Sequence, residues 1–382
     1  MDFQLSEEQT LIRNMVHEFV EQHVRPMADE IDRNHRFPEE SIAPMAELGL
    51  FGFNLPEQYG GSGIDSVAYA VASEEMAKVS ASHAMIMGSQ CTLTTPILVK
   101  YASDEIKERI IPKMIAGEAL GCFCLTEPGA GCDAASQRTS AVRQGDSYVL
   151  NGSKMWITNA PQSKIFIVFA MTDFNKGVKG ISAFLVERGA PGAEGLSTGH
   201  PEEKMGMGAS HTTEVVLKNV VVPAANRLGA EGQGFKIAME TLDGGRGGGA
   251  AMATGLAQAA LDSTVAYTKE RVQFGRPIAA NQGVQWMIAD MATRIECARL
   301  MTHRAAAAKD SGLPCTKESA MAKLYATETA MYVTEKAVQL HGGLGYTRAF
   351  AVERLMREAK LTEIFEGTSE IQRIVIAGQV LR

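Results

Sequence analysis

The chain contains no apolar run approaching the roughly 18 residues that a membrane-spanning helix needs, and it has no block of lysine or arginine. Its 37 basic residues are outnumbered by 44 acidic ones, for a net charge of −7. Nucleic-acid binding therefore lacks an electrostatic footprint. The N-terminal stretch Met1-Asp-Phe-Gln-Leu-Ser-Glu-Glu8 has neither the basic and apolar regions of a signal peptide nor the Arg-rich look of a transit peptide, so a cytoplasmic location is expected. Cysteine is scarce: Cys91, Cys122, Cys124, Cys132, Cys297 and Cys315 include no C-x-x-C, and no His pair accompanies Cys122-Phe-Cys124. Reduced thiols are expected rather than disulfides or a zinc site. HExxH, GxSxG and Walker patterns are missing, and the eight histidines do not cluster at ligand spacing, so no metal is expected.

What is present is a chain of 382 residues, 45% hydrophobic, long enough for two or three domains with large cores. Ser6 with Gln9 forms a plausible capping box, and Leu11, Ile12, Met15, Val16, Phe19 and Val20 follow at helical spacing. A bend is expected at Pro26, with further helices over 39–49, 66–80, 84–100 and 103–116. From Gly121 the pattern becomes β: 147–158 reads as two short strands around an Asn151-Gly152 hairpin turn, and 164–171, 180–187 and 212–222 read as strands. Long helical patterns return after about 232, interrupted near 274–277, 311–314 and 341–345. The expected architecture is α+β and mostly α, with an N-terminal helical domain (1–120), a small central β-barrel-like domain (121–231) and a C-terminal four-helix bundle (232–382). No βαβ alternation is seen, so the Gly-rich segments at 129–131, 244–249 and 342–345 do not read as a Rossmann fingerprint.

Four segments carry candidate chemistry. Leu361-Thr-Glu-Ile-Phe-Glu-Gly-Thr-Ser-Glu-Ile-Gln-Arg373 places Glu366 between an aromatic ring and a glycine. Desolvation there raises a carboxylate's pKa towards that of a general base. Leu125-Thr-Glu-Pro-Gly-Ala-Gly-Cys-Asp133 and Met155-Trp-Ile-Thr158 fall at ends of β segments; Gly129 and Gly131 permit close backbone approach, and Trp156 offers a face for a flat ring. The plain alternative is a glycine turn beside a half-buried Trp. Arg271-Val-Gln-Phe-Gly-Arg-Pro277 with Gln282, and Gln339-Leu-His-Gly-Gly-Leu-Gly345, read either as ligand contacts or as a helix-end charge and a helix C-cap. Phe235 to Ala251 contains Asp243, Arg246 and the run Gly247-Gly248-Gly249, which reads as close helix packing or as room for a bulky ligand.

These motifs resemble the acyl-CoA dehydrogenase family over nearly the whole chain, most nearly its bacterial short-chain (butyryl-CoA dehydrogenase-like) members. The segment 126–133 is similar to T-E-P-x-A-G-[ST]-D, 154–159 to K-x-W/F-I-T-N, 271–275 to R-x-x-F-G and 339–345 to Q-x-x-G-G-x-G. The resemblance implies FAD, with Phe123, Leu125, Thr126, Gly131, Cys132, Trp156 and Thr158 around the flavin. It further implies Arg271, Gln273, Phe274, Gln282, Gln339, Gly342, Gly343, Thr368 and Glu370 along the rest of the cofactor, some of them reaching it from a neighbouring subunit of a homotetramer. Glu366 would take the α-proton of an acyl-CoA while hydride passes to flavin N5, and an electron-transferring flavoprotein would reoxidise the flavin. Gly245 stands where some relatives place their carboxylate, leaving the task to Glu366. Asp243, Arg246 and Leu242 would hold the CoA portion, and Gly88, Cys91, Thr92, Phe365 and Gly367 would surround the acyl group. The small residues predict a pocket widened for a bulky, branched or cyclic acyl group.

Two positions depart from the pattern. Cys132 replaces a hydroxyl-bearing residue, and a thiol is a weak donor; Phe365 replaces a common tyrosine. Rival readings are an acyl-CoA oxidase or a flavin monooxygenase on the same fold, and a non-enzymatic helical interaction protein, which would be colourless.

Overall fold

The computed structural model describes residues 3–382; Met1 and Asp2, the start of the acidic N-terminal stretch, lie outside the described residues. The first helix, α1 (Glu7–Phe19), starts at the predicted capping box, with Ser6 and Gln9 exchanging backbone N–H bonds, and it buries Ile12, Val16 and Phe19. A widened turn at 20–24 precedes the bend at Pro26. There follow α2 (Ala28–Arg33), α3 (Glu39–Glu47), α4 (Ser66–Val79), α5 (Ala81–Gly88), α6 (Thr95–Tyr101) and α7 (Asp104–Ile115). The helix expected over 84–100 is thus two helices joined by wide π-type turns at 89–94. Those turns are held by side chains: Asn54 donates to the Cys91 carbonyl at 3.0 Å, and Thr94 donates to the Ser89 carbonyl at 2.8 Å. Wide turns of this kind recur at functional sites.

The middle of the chain supplies β1 (Gly121–Cys124), β2 (Ser140–Gln144), β3 (Ser147–Thr158), β4 (Ile165–Met171), β5 (Ile181–Glu187), β6 (Leu196–Thr198), β7 (Thr212–Pro223) and β8 (Arg227–Leu228). Their sheet order is β6-β7-β3-β2-β4-β5-β8, with β1 added parallel to β4. The Asn151-Gly152 hairpin expected from the sequence is not formed. β3 runs straight through both residues, and the register against β7 shifts between Leu150 and Gly152. A Cβ at Gly152 would lie 2.4 Å from the Thr139 hydroxyl, so this glycine serves a β-bulge and a close crossing. The turn that does reverse the chain is Gly145-Asp146 between β2 and β3, with Gly145 at φ 60°.

Helices return as α8 (Gly234–Glu270), α9 (Gln282–Asp310), α10 (Thr316–His341), α11 (Val352–Thr362) and α12 (Ser369–Val380); a small hairpin of β9 (Val272–Gln273) and β10 (Arg276–Pro277) follows α8. α8 packs against α4, α9, α10 and α11, and α10 against α9, α11 and α12. One apolar core joins α1 and α4 to these long helices, a second lies between α6, α7 and the β4–β5 face, and a third fills the other face of the sheet. The start of α8, the α11–α12 turn and the wide turns at 89–94 therefore meet at one place. Among the described residues no helix is long and apolar enough to cross a membrane.

Candidate active site

Glu366 sits in the turn between α11 and α12 with φ 54°, and Gly367 beside it has φ 92°. A non-glycine residue in the left-handed region carries strain that must be held by its surroundings. The Gln372 side chain donates to the Glu366 carbonyl at 3.2 Å and to the Gly367 carbonyl at 2.8 Å, and Lys323 Nζ donates to the latter at 2.9 Å. The Glu366 residue as a whole is half-buried, but its Oε2 is closed off from solvent and has no hydrogen-bond partner. Burial pushes its pKa up to about 7, against the opposing charges of Lys323 and Arg246. A base poised near neutrality is what proton abstraction requires.

Across from it, a Cβ at Gly245 would lie 2.9 Å from Glu366 Oε2 and 2.9 Å from Leu93 Cδ2. Gly245 is therefore needed for Glu366 to occupy this position. The rest of the glycine run behaves differently from the expectation of a widened pocket. A Cβ at Gly249 would meet the Phe365 ring at 3.1 Å, and one at Gly248 would meet the Tyr69 hydroxyl at 3.3 Å, so Phe365 and Tyr69 fill the room these glycines release. Gly88 likewise faces the Tyr69 hydroxyl, whose oxygen is buried without a partner. Only Gly247 of the run has nothing within 4 Å. A small cavity between α4, α8 and α9 is lined by Tyr69, Thr92, Gly247, Gly248, Ala305 and Lys309. Cys91 is fully buried and donates its thiol to the Leu50 carbonyl at 3.1 Å, so it does not line that cavity. Asp243 accepts from Arg246 and, at 2.6 Å, from the Thr316 hydroxyl; Arg246 is buried, with its Nε unpartnered. Leu242 packs in the same cluster as Phe123.

The two β-domain motifs converge as expected. Met155 N–H donates to the Thr126 carbonyl at 2.9 Å. Beneath them Lys154, fully buried, donates to the Leu125 carbonyl (3.1 Å), Glu127 Oε1 (2.8 Å) and Gln137 Oε1 (2.9 Å). This knot fixes Leu125 and Thr126 against the strand carrying Trp156 and Thr158. Trp156 is 56% exposed at φ 61°, Gly129 and Gly131 have open space where a Cβ would stand, and both polar atoms of the buried Asn159 amide lack partners. Cys132 Sγ lies 3.9 Å from the hydroxyl of Thr368, which caps α12 and accepts from Ile371 N–H. An uncovered indole, a glycine cradle and orphaned amide atoms at the ends of strands fit a flat, polar-edged ring system such as a flavin.

The remaining cofactor candidates stand elsewhere. Arg271, Gln273, Phe274 and Gln282 are exposed at the far end of α8, roughly 39 Å along its axis from Gly245. Gln339, Gly342 and Gly343 are exposed at the far end of α10, roughly 24 Å beyond Lys323. These two groups adjoin: His341 stacks on Tyr267 at 4.4 Å and shares a 3.2 Å hydrogen bond with Ser263. The candidate cofactor residues thus fall into two groups at opposite ends of the bundle, with Glu370 exposed at the Glu366 end.

Lys323 was not singled out by the sequence. It lies mid-helix in Ala320-Met-Ala-Lys-Leu-Tyr325, where a lysine reads as a solvated charge, yet it has no exposed surface, and its ammonium lies 5.7 Å from the Phe365 ring centre.

A buried, near-neutral carboxylate within a mostly helical scaffold, beside strand ends shaped for a flat ring, defines a flavin-dependent oxidoreductase. Residues 6–118, 122–220 and 232–381 match the family models for the N-terminal, middle and C-terminal domains of acyl-CoA dehydrogenase. The chain belongs to the acyl-CoA dehydrogenase family, FAD-dependent oxidoreductases that act on acyl-CoA. It is 48% identical to a short-chain specific acyl-CoA dehydrogenase of Clostridium acetobutylicum over 382 residues, covering 100% of each chain. Butyryl-CoA dehydrogenase from Megasphaera elsdenii superposes with a TM-score of 0.97 at 44% identity, covering 100% of each chain. A chain from the structural work on the electron transferring flavoprotein of Acidaminococcus fermentans and its flavin-based electron bifurcation has a TM-score of 0.97 at 46% identity, again over 100% of each.

Proposed function

We propose that this acyl-CoA dehydrogenase removes the α-proton of a short-chain acyl-CoA with Glu366. The observation that carries this reading is the Glu366 carboxylate: its Oε2 is unpartnered, closed off from solvent and pressed against the bare face of Gly245. The α C–H electron pair stays on the substrate as an enolate while the proton moves to the carboxylate. Among the described residues the Glu366 N–H has no hydrogen-bond acceptor. It is available to donate to the thioester oxygen on which negative charge develops. When bound, FAD supplies the acceptor for the β-hydride. Trp156, Thr158, Thr126 and Gly131 would hold its ring; Asp243, Arg246 and Leu242 would orient the CoA arm. Anaerobic mixing of Glu366→Gln with butyryl-CoA tests the base: binding without flavin bleaching is expected, and full-rate bleaching would mean another base.

A short acyl group is favoured over a bulky one because Tyr69 and Phe365 occupy the space beside Gly88, Gly248 and Gly249. The names of the relatives, short-chain specific and butyryl-CoA dehydrogenase, point the same way. Butyryl-CoA should therefore bleach the flavin at least about tenfold faster than cyclohexanecarboxyl-CoA, about 1.4 kcal/mol of discrimination. The electron acceptor we assign is an electron-transferring flavoprotein, supported by the match to a chain from work on such a flavoprotein. The opposite placement of the two half-sites supports a homo-oligomer, a tetramer built from pairs that exchange them.

A further inference from the structure

We propose that Lys323 is a positioning residue for the catalytic base: it clamps the Glu366–Gly367 turn and holds a buried positive charge against that turn. The inference rests on the reading of Glu366 as the base. Its starting point is an anomaly of burial. A lysine with no exposed surface is expensive unless its charge has a function or a full set of partners. The ammonium has three donors, yet the Gly367 carbonyl at 2.9 Å is its hydrogen-bond acceptor, with the Phe365 ring face at 5.7 Å as the other contact.

The hydrogen bond alone does not explain a lysine. Gln372 already donates to the same carbonyl at 2.8 Å, and to the Glu366 carbonyl at 3.2 Å. A neutral donor would complete the clamp without the desolvation of a cation. What Lys323 adds is charge. The groups that bear on the Glu366 carboxylate are Lys323 from α10 and Arg246 from α8, both cationic, and Tyr69 from α4, which burial keeps neutral, as it does neighbouring Cys91. Glu363 and Glu370, on either side of the turn, act on Lys323 in favour of its charge. Arg246 is already engaged by Asp243. Lys323 is therefore the cation free to answer the base, and its place in the clamp ties geometry and charge to one side chain.

The sign follows. Burial raises Glu366 and draws Lys323 down to about 8, while each opposes the other's shift. Removing the ammonium raises the base further, so the ionised, proton-accepting form is reached only at higher pH.

The test is anaerobic single-turnover flavin reduction by butyryl-CoA across pH for wild-type, Lys323→Gln, Lys323→Met and Lys323→Arg holoenzymes, each corrected for flavin content. In the Gln and Met variants the acid limb should move up by about one unit, lowering the rate roughly fivefold near neutrality and about tenfold well below it, and recovering towards high pH. The Arg variant should keep the wild-type limb even where its absolute rate falls. A purely structural lysine would lower the rate by one factor at all pH values, and that result overturns the proposal. Should Lys323→Met fail to fold, the Gln variant, which keeps a polar end, decides alone. An unshifted limb while Glu366→Gln remains dead overturns this inference and leaves the base assignment standing; a Glu366→Gln variant that bleaches at the full rate overturns both.

Discussion

Glu366 and Gly245 occupy space that neither can share. Because a Cβ at Gly245 would stand 2.9 Å from the carboxylate oxygen and 2.9 Å from Leu93, Gly245→Ala should push the base off its approach line. The expected result is at least a tenfold loss in kcat/KM, about 1.4 kcal/mol of transition-state stabilisation, with flavin content unchanged; a normal kcat/KM would show that the turn relaxes freely. Tyr69 gives the contrasting case. Its hydroxyl is buried without a partner, so Tyr69→Phe removes an unpaired group and should leave the substrate-free enzyme as stable or more stable, by up to about 1 kcal/mol, read as an equal or higher Tm; a lower Tm would reveal a bond that this packing does not show. At this scale Glu366 stood out in the sequence through its motif, although the groups that close on its carboxylate, Gly245 and Leu93, lie far away along the chain. Lys323 did not, because its partner lies 44 residues away and nothing in helical spacing distinguishes a buried lysine from a surface one.

Among elements, α8 runs unbroken through six interior glycines, Gly244, Gly245, Gly247, Gly248, Gly249 and Gly255, a propensity deficit of about 6 kcal/mol. Packing holds it: Tyr69 of α4, Leu93 and the Phe365 ring press on the segment. The glycines are not equivalent. A Cβ at Gly247 meets nothing within 4 Å, whereas one at Gly255 would lie 2.3 Å from the Glu74 carbonyl where α4 crosses α8. Gly247→Ala should therefore raise stability by up to about 1 kcal/mol, and Gly255→Ala should lower it by about 1–3 kcal/mol; paired thermal melts of the holoenzymes check both, and equal shifts would refute the distinction. Periodicity located α8 and most other helices to within a few residues, because each buries one stripe against a neighbour. It failed where tertiary contacts outvoted local preference. Asn151-Gly152, a strong turn signal, was pulled straight by pairing on both sides of β3, and in the helix expected over 84–100 the distant Asn54 side chain takes the Cys91 carbonyl.

On the scale of the molecule, the proposed sharing of each flavin site between two chains makes a prediction about assembly. The motif resemblance supplied the residues, but only coordinates reveal that Arg271 and Gln339 sit at one end of the bundle and Trp156, Thr158 and Glu366 at the other. If each flavin is closed by two chains, a defect at one end of a chain disables a different site from a defect at the other. Arg271→Ala should lose flavin from the sites its own far end completes, and Glu366→Gln should keep flavin but fail to bleach. Neither variant alone is active. Co-expressed with distinguishable tags, they form mixed pairs in which one site receives an intact Glu366 from one chain and an intact Arg271 from its partner, while the other site receives both defects. With random pairing, roughly a quarter of wild-type activity per chain should return. Separately purified variants mixed without subunit exchange should remain inactive. If co-expression restores nothing although mixed oligomers are recovered through both tags, the flavin is closed within one chain, and the shared-site assembly must be abandoned.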